Sequence, residues 1–421
     1  MSKFWKNITC LAVVMFATML VLGCGGNTSK NASVDGNKSE KVTLTLWHYY
    51  EGALQQKSLT DLAQKFNTSQ DKIAIKMEFA PRNELIKQLT IGLVADKLPD
   101  IVLLDNPDTP SFAAMGILAD ITDKVNAPEM KKEAYYPGPL KSNLYNDKYY
   151  GIPVGSNDIG LYYNEDMFKA AGITAPPQTW DELQVVAKKL SKDGVYGLAM
   201  CALKNEEGTF QFLPWLISAG GSYDKLDSAE SVKAFTFLTN LVKDGSLSKE
   251  SINWTQADVE KQFATGKAAM MINGPWNIEH VRGDAPNMKF AVVKIPKDKV
   301  WASCLGGENF SIIKGHHEAE AWAFLKFAMS EDNLADIVNV MGYIPSRKDL
   351  AESNPKLKND PIMSVFVDEM QYAMPRGPNA KWPEYSEAMY TALQESLTNQ
   401  KTPEQAARDA QVKVENISKG N

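Results

Sequence analysis

Only four cysteines and four histidines occur in the 421 residues. Four thiols in so long a chain exclude a disulfide-built scaffold. Neither residue type shows the spacing of a metal site. His316 and His317 are adjacent, but they precede Glu318 after a turn and read as a solvated helix start. Positive charge is also short, with 45 Lys and Arg against 51 Asp and Glu, a formal balance of −6. Without Lys3 and Lys6, which lie in a segment argued below to be removed, the count is 43 against 51, or −8. That balance disfavours sequence-independent phosphate binding, and no nucleic-acid partner is expected. Gly194 and Gly197 form no phosphate loop, G-x-x-x-x-G-K-[ST] is missing, and so is the G-x-S-x-G nucleophile elbow. Long apolar runs are confined to Leu11–Leu22, 12 residues broken only by Thr18. About 20 are needed to span a bilayer.

That apolar run follows Lys3 and Lys6, the layout of an export signal rather than a membrane helix. It ends in Val21-Leu22-Gly23-Cys24, which resembles the bacterial lipobox, although Leu22 is bulkier than usual at its position. The resemblance implies cleavage before Cys24 and acylation of its thiol. Residues 1–23 are then a lipoprotein signal peptide. Residues 24–40 are rich in Gly, Ser, Asn and Lys, with Val34 the one aliphatic side chain larger than alanine. Such a segment cannot pack and reads as a flexible tether. Acyl chains beside a polar leash describe a globular body held at the extracytoplasmic face of a cell membrane, an arrangement suited to a Gram-positive surface.

With 44% hydrophobic and 23% charged residues the body is that of a folded protein. Its length exceeds the roughly 250–300 residues at which one core stops growing, so two lobes are expected. Val42, Leu44 and Leu46 alternate with polar residues as in a strand. Leu59, Leu62, Ala63 and Phe66 follow at helical spacing. Ile73–Phe79 alternates again, Leu85, Leu89 and Leu93 mark a second helix, and Ile101–Leu104 is a short apolar strand. This β-α-β-α-β order predicts an α/β fold with a largely parallel sheet. Ligands of such sheets bind beyond the carboxyl ends of the strands, here His48-Tyr49-Tyr50-Glu51 and Asp105-Asn106-Pro107-Asp108. Further on, Tyr149–Val154 reads as a strand carrying a proline, and Ile159–Tyr163 and Ala268–Ile272 as apolar strands. Thr179 and Glu182 form a capping box, and Thr402-Pro403-Glu404-Gln405 a second, with proline at the first helical position.

Four stretches make the pattern specific. They are Gly151–Val154 with Leu161–Glu165 and Phe168; Phe263–Met270 ending in Asn273-Gly274-Pro275-Trp276; Gly306-Gly307-Glu308-Asn309 with Ala321-Trp322 and Phe324-Leu325; and Gly342–Ser346. In this order, over nearly the whole body, they resemble the extracellular solute-binding proteins of carbohydrate ABC importers, the maltose-binding-protein class. The resemblance implies a two-lobed periplasmic-binding-protein-like fold of type II, with a ligand cleft between lobes joined by hinge strands. It places lobe one at 41–152 plus 298–342 and lobe two at 155–296 plus 345–421, with crossings near Pro153, Lys297 and Tyr343. It also implies a monomer that captures a carbohydrate, closes by a hinge motion and delivers its cargo to ABC permease subunits. No cofactor, metal or catalysis is implied. Receptors for a glycerophosphodiester, a polyamine or a peptide, and a surface glycoside hydrolase built on Glu51, Asp105 and Glu308, are the competing readings.

A sugar offers an apolar face to aromatic rings and a rim of hydroxyls to carboxylates, amides and Arg. Trp276 stands at a family position that stacks on sugar, while Trp180 and Trp322 read as core. Trp215, Trp254 and Trp382 are open between cleft and core, as are Trp47 and Trp301. Polar candidates are His48 and Glu51 after the first strand, Asp105 and Asn106 after the third, Asn157 in the first crossing, and Glu308 and Asn309 after two glycines. Tyr343 is a hinge candidate. Arg376, in a rigid Pro-Arg-Gly-Pro loop, could grip a ligand or pair with an acid. Oligosaccharides are favoured over a lone hexose by the number of aromatic candidates. Cys201 and Cys304, the thiols of the body, carry no signal that they meet.

Overall fold

A computed structural model describes residues 41–95 and 97–419; the signal segment, the Cys24 lipobox and the tether lie outside the described residues. The first hundred residues form β1 (Val42–His48), α1 (Ala53–Ser69), β2 (Ile73–Phe79), α2 (Arg82–Ala95) and β3 (Ile101–Asp105), as the periodicity predicts. β1 pairs in parallel with both β2 and β3. Two strands from later in the chain complete this five-stranded sheet: Glu308–Ile312 runs antiparallel to β3, and Ile152–Pro153, antiparallel to Glu308–Ile312, runs in the direction of β3. β3 is buried along its whole length because both faces are covered. Ile101 and Leu103 pack with Leu44, Leu59 and Phe66, whereas Val102 and Leu104 pack with Leu85, Leu89 and Phe112. A strand buried on both sides reads as a continuous apolar run, which explains Ile101–Leu104.

A second, three-stranded antiparallel sheet is built from Phe290–Val293, Gly160–Asn164 and Met270–Asn273. Its larger core gathers the helices Trp180–Leu190, Glu206–Ser218, Ala229–Lys243, Trp382–Leu397 and Pro403–Lys419. Thr179 and Glu182 cap the first of these reciprocally. At the last helix only half of the expected box forms. The Gln405 backbone N–H donates to Thr402 Oγ1, but the Gln405 side chain bonds Asp409 and Arg408 instead of reaching back.

The two sheets are joined by short strands. Gly155–Ser156 pairs with Ile344–Pro345, and Ser303–Leu305 with Ala373–Pro375. Here backbones touch. A Cβ on Gly307, at φ +134°, would stand 2.1 Å from the Gly155 carbonyl oxygen. That close approach explains the paired glycines at 306 and 307. Cys201 and Cys304 are both buried and unbridged. His317 stands exposed at the start of the Glu318–Ala328 helix, as expected, in the left-handed region and with its Nδ1 2.7 Å from Asp100. Among the described residues no group of His, Cys, Asp and Glu could hold a metal.

Candidate ligand-binding cleft

A cavity of about 420 Å³ lies between elements of both sheets. The first sheet supplies Tyr49, Tyr50 and Glu51 beyond β1, Asp105 at the end of β3, Arg82 at the start of α2, and Glu308. The second supplies the start of the Glu206–Ser218 helix, one face of Gln256–Ala264, and the turn after Met270–Asn273. Asn157, Gly307 and Tyr343 form the floor, where the chain crosses.

Trp276 is positioned by that turn. The Asn273 side chain accepts from the Gly274 and Asn277 N–H groups and donates to the Gln256 carbonyl. Tyr162 holds the Gly274 carbonyl oxygen at 2.6 Å. A Cβ on Gly274 would fall 2.0 Å from the Trp276 ring, so the indole folds back only because residue 274 is glycine. The ring is half-buried, packs against the cores of both sheets, and sits 6.2 Å from the Phe210 ring.

Ion pairs organise the inner end. Arg376 forks onto Asp105, with Nη2 2.6 Å from Oδ1 and Nη1 2.7 Å from Oδ2. The same guanidinium donates to Glu206 at 2.9 Å and to Asn106 at 3.1 Å, and it stacks 4.5 Å over Phe210. Arg82 bonds Asp108 at 2.6 Å and Asp105 at 3.4 Å. Glu206 also accepts from Trp382 Nε1 and Ser386 Oγ. Both Glu206 and Glu207 lie in the first turn of a helix capped by Asn205, where the dipole favours negative charge.

Glu308 sits under a layer of tyrosines. Tyr49 donates to its Oε1 at 2.8 Å, and the Tyr343 and Tyr50 hydroxyls lie against the same carboxyl. Burial, then the nearby Asp105 charge, pushes its carboxyl up to about 7 from 4.5. A raised acid stabilises the fold below its unfolded pKa, and that contribution is lost as pH rises through the folded value. The unliganded protein is therefore expected to lose stability between about pH 4.5 and 7, with Glu308 contributing about 3 kcal/mol. Glu308→Gln should reduce this slope in chemical unfolding followed at pH 5, 6, 7 and 8. It will not abolish it, because burial also raises Glu260 to about 7. An unchanged slope would show that Glu308 is not the titrating group.

Of the sequence candidates, Trp276, Asn157, Asp105, Glu51, Glu308, Tyr343 and Arg376 line the cavity. Arg376 does so with its donors already engaged by protein groups, which favours acid pairing over ligand grip. The others do not line it. His48 is buried against the Phe79 and Tyr50 rings, and burial lowers its pKa to about 4. Asn106 serves Arg376. Asn309, one residue from Glu308 and so on the opposite face of its strand, bonds Thr109 and Asn143 inside the first core. Trp215 and Trp382 are among the largest fully buried side chains, and Trp254 stacks edge-on with Tyr196 outside the cavity. These three indoles were open between core and cleft, and the interior took two of them because neighbouring helices cover them. Trp180 and Trp322 are core as expected. Trp47 donates to Glu78, and Trp301 lies under Lys294 and Lys297.

The sequence reading placed Tyr49 and Tyr50 in the first ligand loop without singling them out, and it missed Arg82, Glu206, Glu207, Phe210 and Glu260 as lining residues. The Asn205 cap ahead of two acids and an apolar run marks a helix start and could have drawn attention to Glu206.

Two α/β lobes crossed by hinge strands around an aromatic, carboxylate-rich cleft define a capture protein of the binding-protein class. Residues 61–365 match the bacterial extracellular solute-binding protein family, and the chain belongs to it. A solute-binding protein from Thermotoga lettingae TMO, solved with alpha-D-tagatose, superposes with a TM-score of 0.82 at 28% identity, covering 90% of this chain and 100% of that one. The maltotriose-binding protein of Pyrococcus abyssi is 26% identical over 72% of this chain and 67% of its own. The maltooligosaccharide ABC transporter solute-binding lipoprotein of Streptococcus pneumoniae R6 is 22% identical over 97% and 96%.

Proposed function

We propose that this protein is a lipid-anchored receptor that captures an oligosaccharide outside the cytoplasm and delivers it to the permease of an ABC importer. The carrying observation is Trp276. It presents a half-buried indole to a cavity rimmed by carboxylates and amides while touching both cores. An aromatic face under a sugar ring with hydrogen-bonding groups at its edge is the chemistry a saccharide requires. Relatives named for maltotriose and maltooligosaccharide support that reading. The Val21–Cys24 motif and its polar tether support anchoring through Cys24, on a Gram-positive cell surface. Sheet membership supports the proposed lobes, 41–152 plus 298–342 and 155–296 plus 345–421, except over residues 298–305, which pack with the second. Cys304 packs with the second core, so the later crossing completes near Gly306.

The deciding experiment is a thermal-shift screen of the purified protein against mono- and oligosaccharides, followed by recovery of the sugar. A ligand at one hundred times its Kd should stabilise the fold by about 2.7 kcal/mol. Binding with the sugar recovered uncut supports a receptor without catalysis; cleavage would favour a hydrolase. No shift with any saccharide would sink the reading.

A further inference from the structure

The cleft holds more carboxyl groups than its arginine and lysine cations balance, and His280 is the one imidazole among the described residues of its lining. Arg82 and Arg376 are tied to Asp105, Asp108 and Glu206. Lys261 is largely exposed, with its ammonium 4.0 Å from Asp258. Among the described residues, the lining acids Glu51, Glu207, Glu260, Asp284 and Glu308 have no ion-pair partner. Two of them are more than nine-tenths buried, Glu260 at 3% exposure and Glu308 at 6%. Glu260 keeps its Oε1 without a hydrogen-bond partner.

These acids come from both sides. Glu51 follows β1 in the first lobe. Glu207 and Glu260 stand on two helices of the second, joined by the Glu207 carboxylate accepting the Gln256 N–H at 2.8 Å. The charge of Glu51 acts on Glu207 across the cleft, and that of Asp284 on Glu260. A hydroxyl can hydrogen-bond such a group without compensating a charge, so burial keeps Glu260 largely protonated below its folded pKa of about 7; a cation beside it draws it into the ionised form. An ammonium supplies several donors and the opposite charge. Placed between Glu51 and Glu207, it would also remove the like-charge repulsion that opposes closure of the lobes.

We propose that the cleft recognises a saccharide carrying a protonated amine, its ring on Trp276 and its ammonium among Glu51, Glu207 and Glu260. The inference rests on the carbohydrate reading and sharpens it to basic amino sugars.

The test is titration calorimetry of the full-length protein with four probes at pH 6.5. They are a glucosamine trimer, its fully N-acetylated counterpart, maltotriose and spermidine. The expected result is a Kd for the glucosamine trimer at least tenfold below those of the other three. Glu207→Gln with Glu260→Gln should remove that preference, with the fold checked by circular dichroism. A preference unchanged in the double variant would overturn the assignment to these residues. Equal or tighter binding of the acetylated trimer or maltotriose would overturn the inference while leaving a sugar receptor. Binding of spermidine alone would overturn both it and the carbohydrate reading, whereas heat from none of the four would overturn the inference alone.

Discussion

Replacing Arg376 with methionine is expected to destabilise the unliganded protein by about 3–5 kcal/mol, the usual effect of leaving buried charge unpaired. The side chain is 3% exposed and holds two carboxylates, Asp105 from the end of β3 and Glu206 from a helix of the second core. Methionine conserves much of the volume but returns neither the charge nor the fork. Glu206 then loses its cation and Asp105 keeps only the longer contact to Arg82 at 3.4 Å, beside the Phe210 ring. Arg376→Lys should fall between, because a single ammonium cannot reproduce the bidentate contact with Asp105. Adding Asp105→Asn to Arg376→Met should recover part of the loss, since one of the orphaned charges is gone. Urea unfolding at pH 7 measures all four proteins. A midpoint for Arg376→Met within error of the parent would mean that the network contributes nothing to folding.

Trp276→Ala should weaken saccharide binding by about 100-fold, or roughly 2.8 kcal/mol, the range of a central aromatic anchor. The indole is large, half-buried and in contact with both cores, so its loss removes a stacking face and loosens the contact across the cleft. Trp276→Phe keeps a ring on the same backbone turn and should lose about tenfold or less. Calorimetry separates the two variants, with a melting curve of each to confirm folding. If alanine binds as well as the parent, Trp276 is a packing residue and the sugar contacts lie elsewhere in the cleft.

The contrast between Trp276 and Trp382 shows how far a sequence carries such an assignment. Both follow loops ahead of a helical turn. Trp276 is turned into the cleft by Gly274, whose missing Cβ leaves room for the ring. Trp382 is turned into the core, where its Nε1 donates to Glu206. Nothing in the local pattern of either residue specifies its direction. The strand-end loops are similar. His48-Tyr49-Tyr50-Glu51 was legible as a ligand loop from the β-α order, yet Tyr49, Tyr50 and Glu51 line the cavity while His48 does not.

By itself the sequence determined the alternation that makes β1 and β2, the doubly buried run of β3, the Thr179 cap, and the order of segments that places the chain among two-lobed receptors. These are properties of residues a few positions apart, where the periods of strand and helix act directly. Only the tertiary structure decided that Arg376 pairs with Asp105, 271 residues away, and that Glu308 comes to rest beneath Tyr49, 259 residues before it. Those contacts form because the chain crosses repeatedly between two sheets. The charge balance of the cleft is set by which distant side chains meet there, and no local period encodes it.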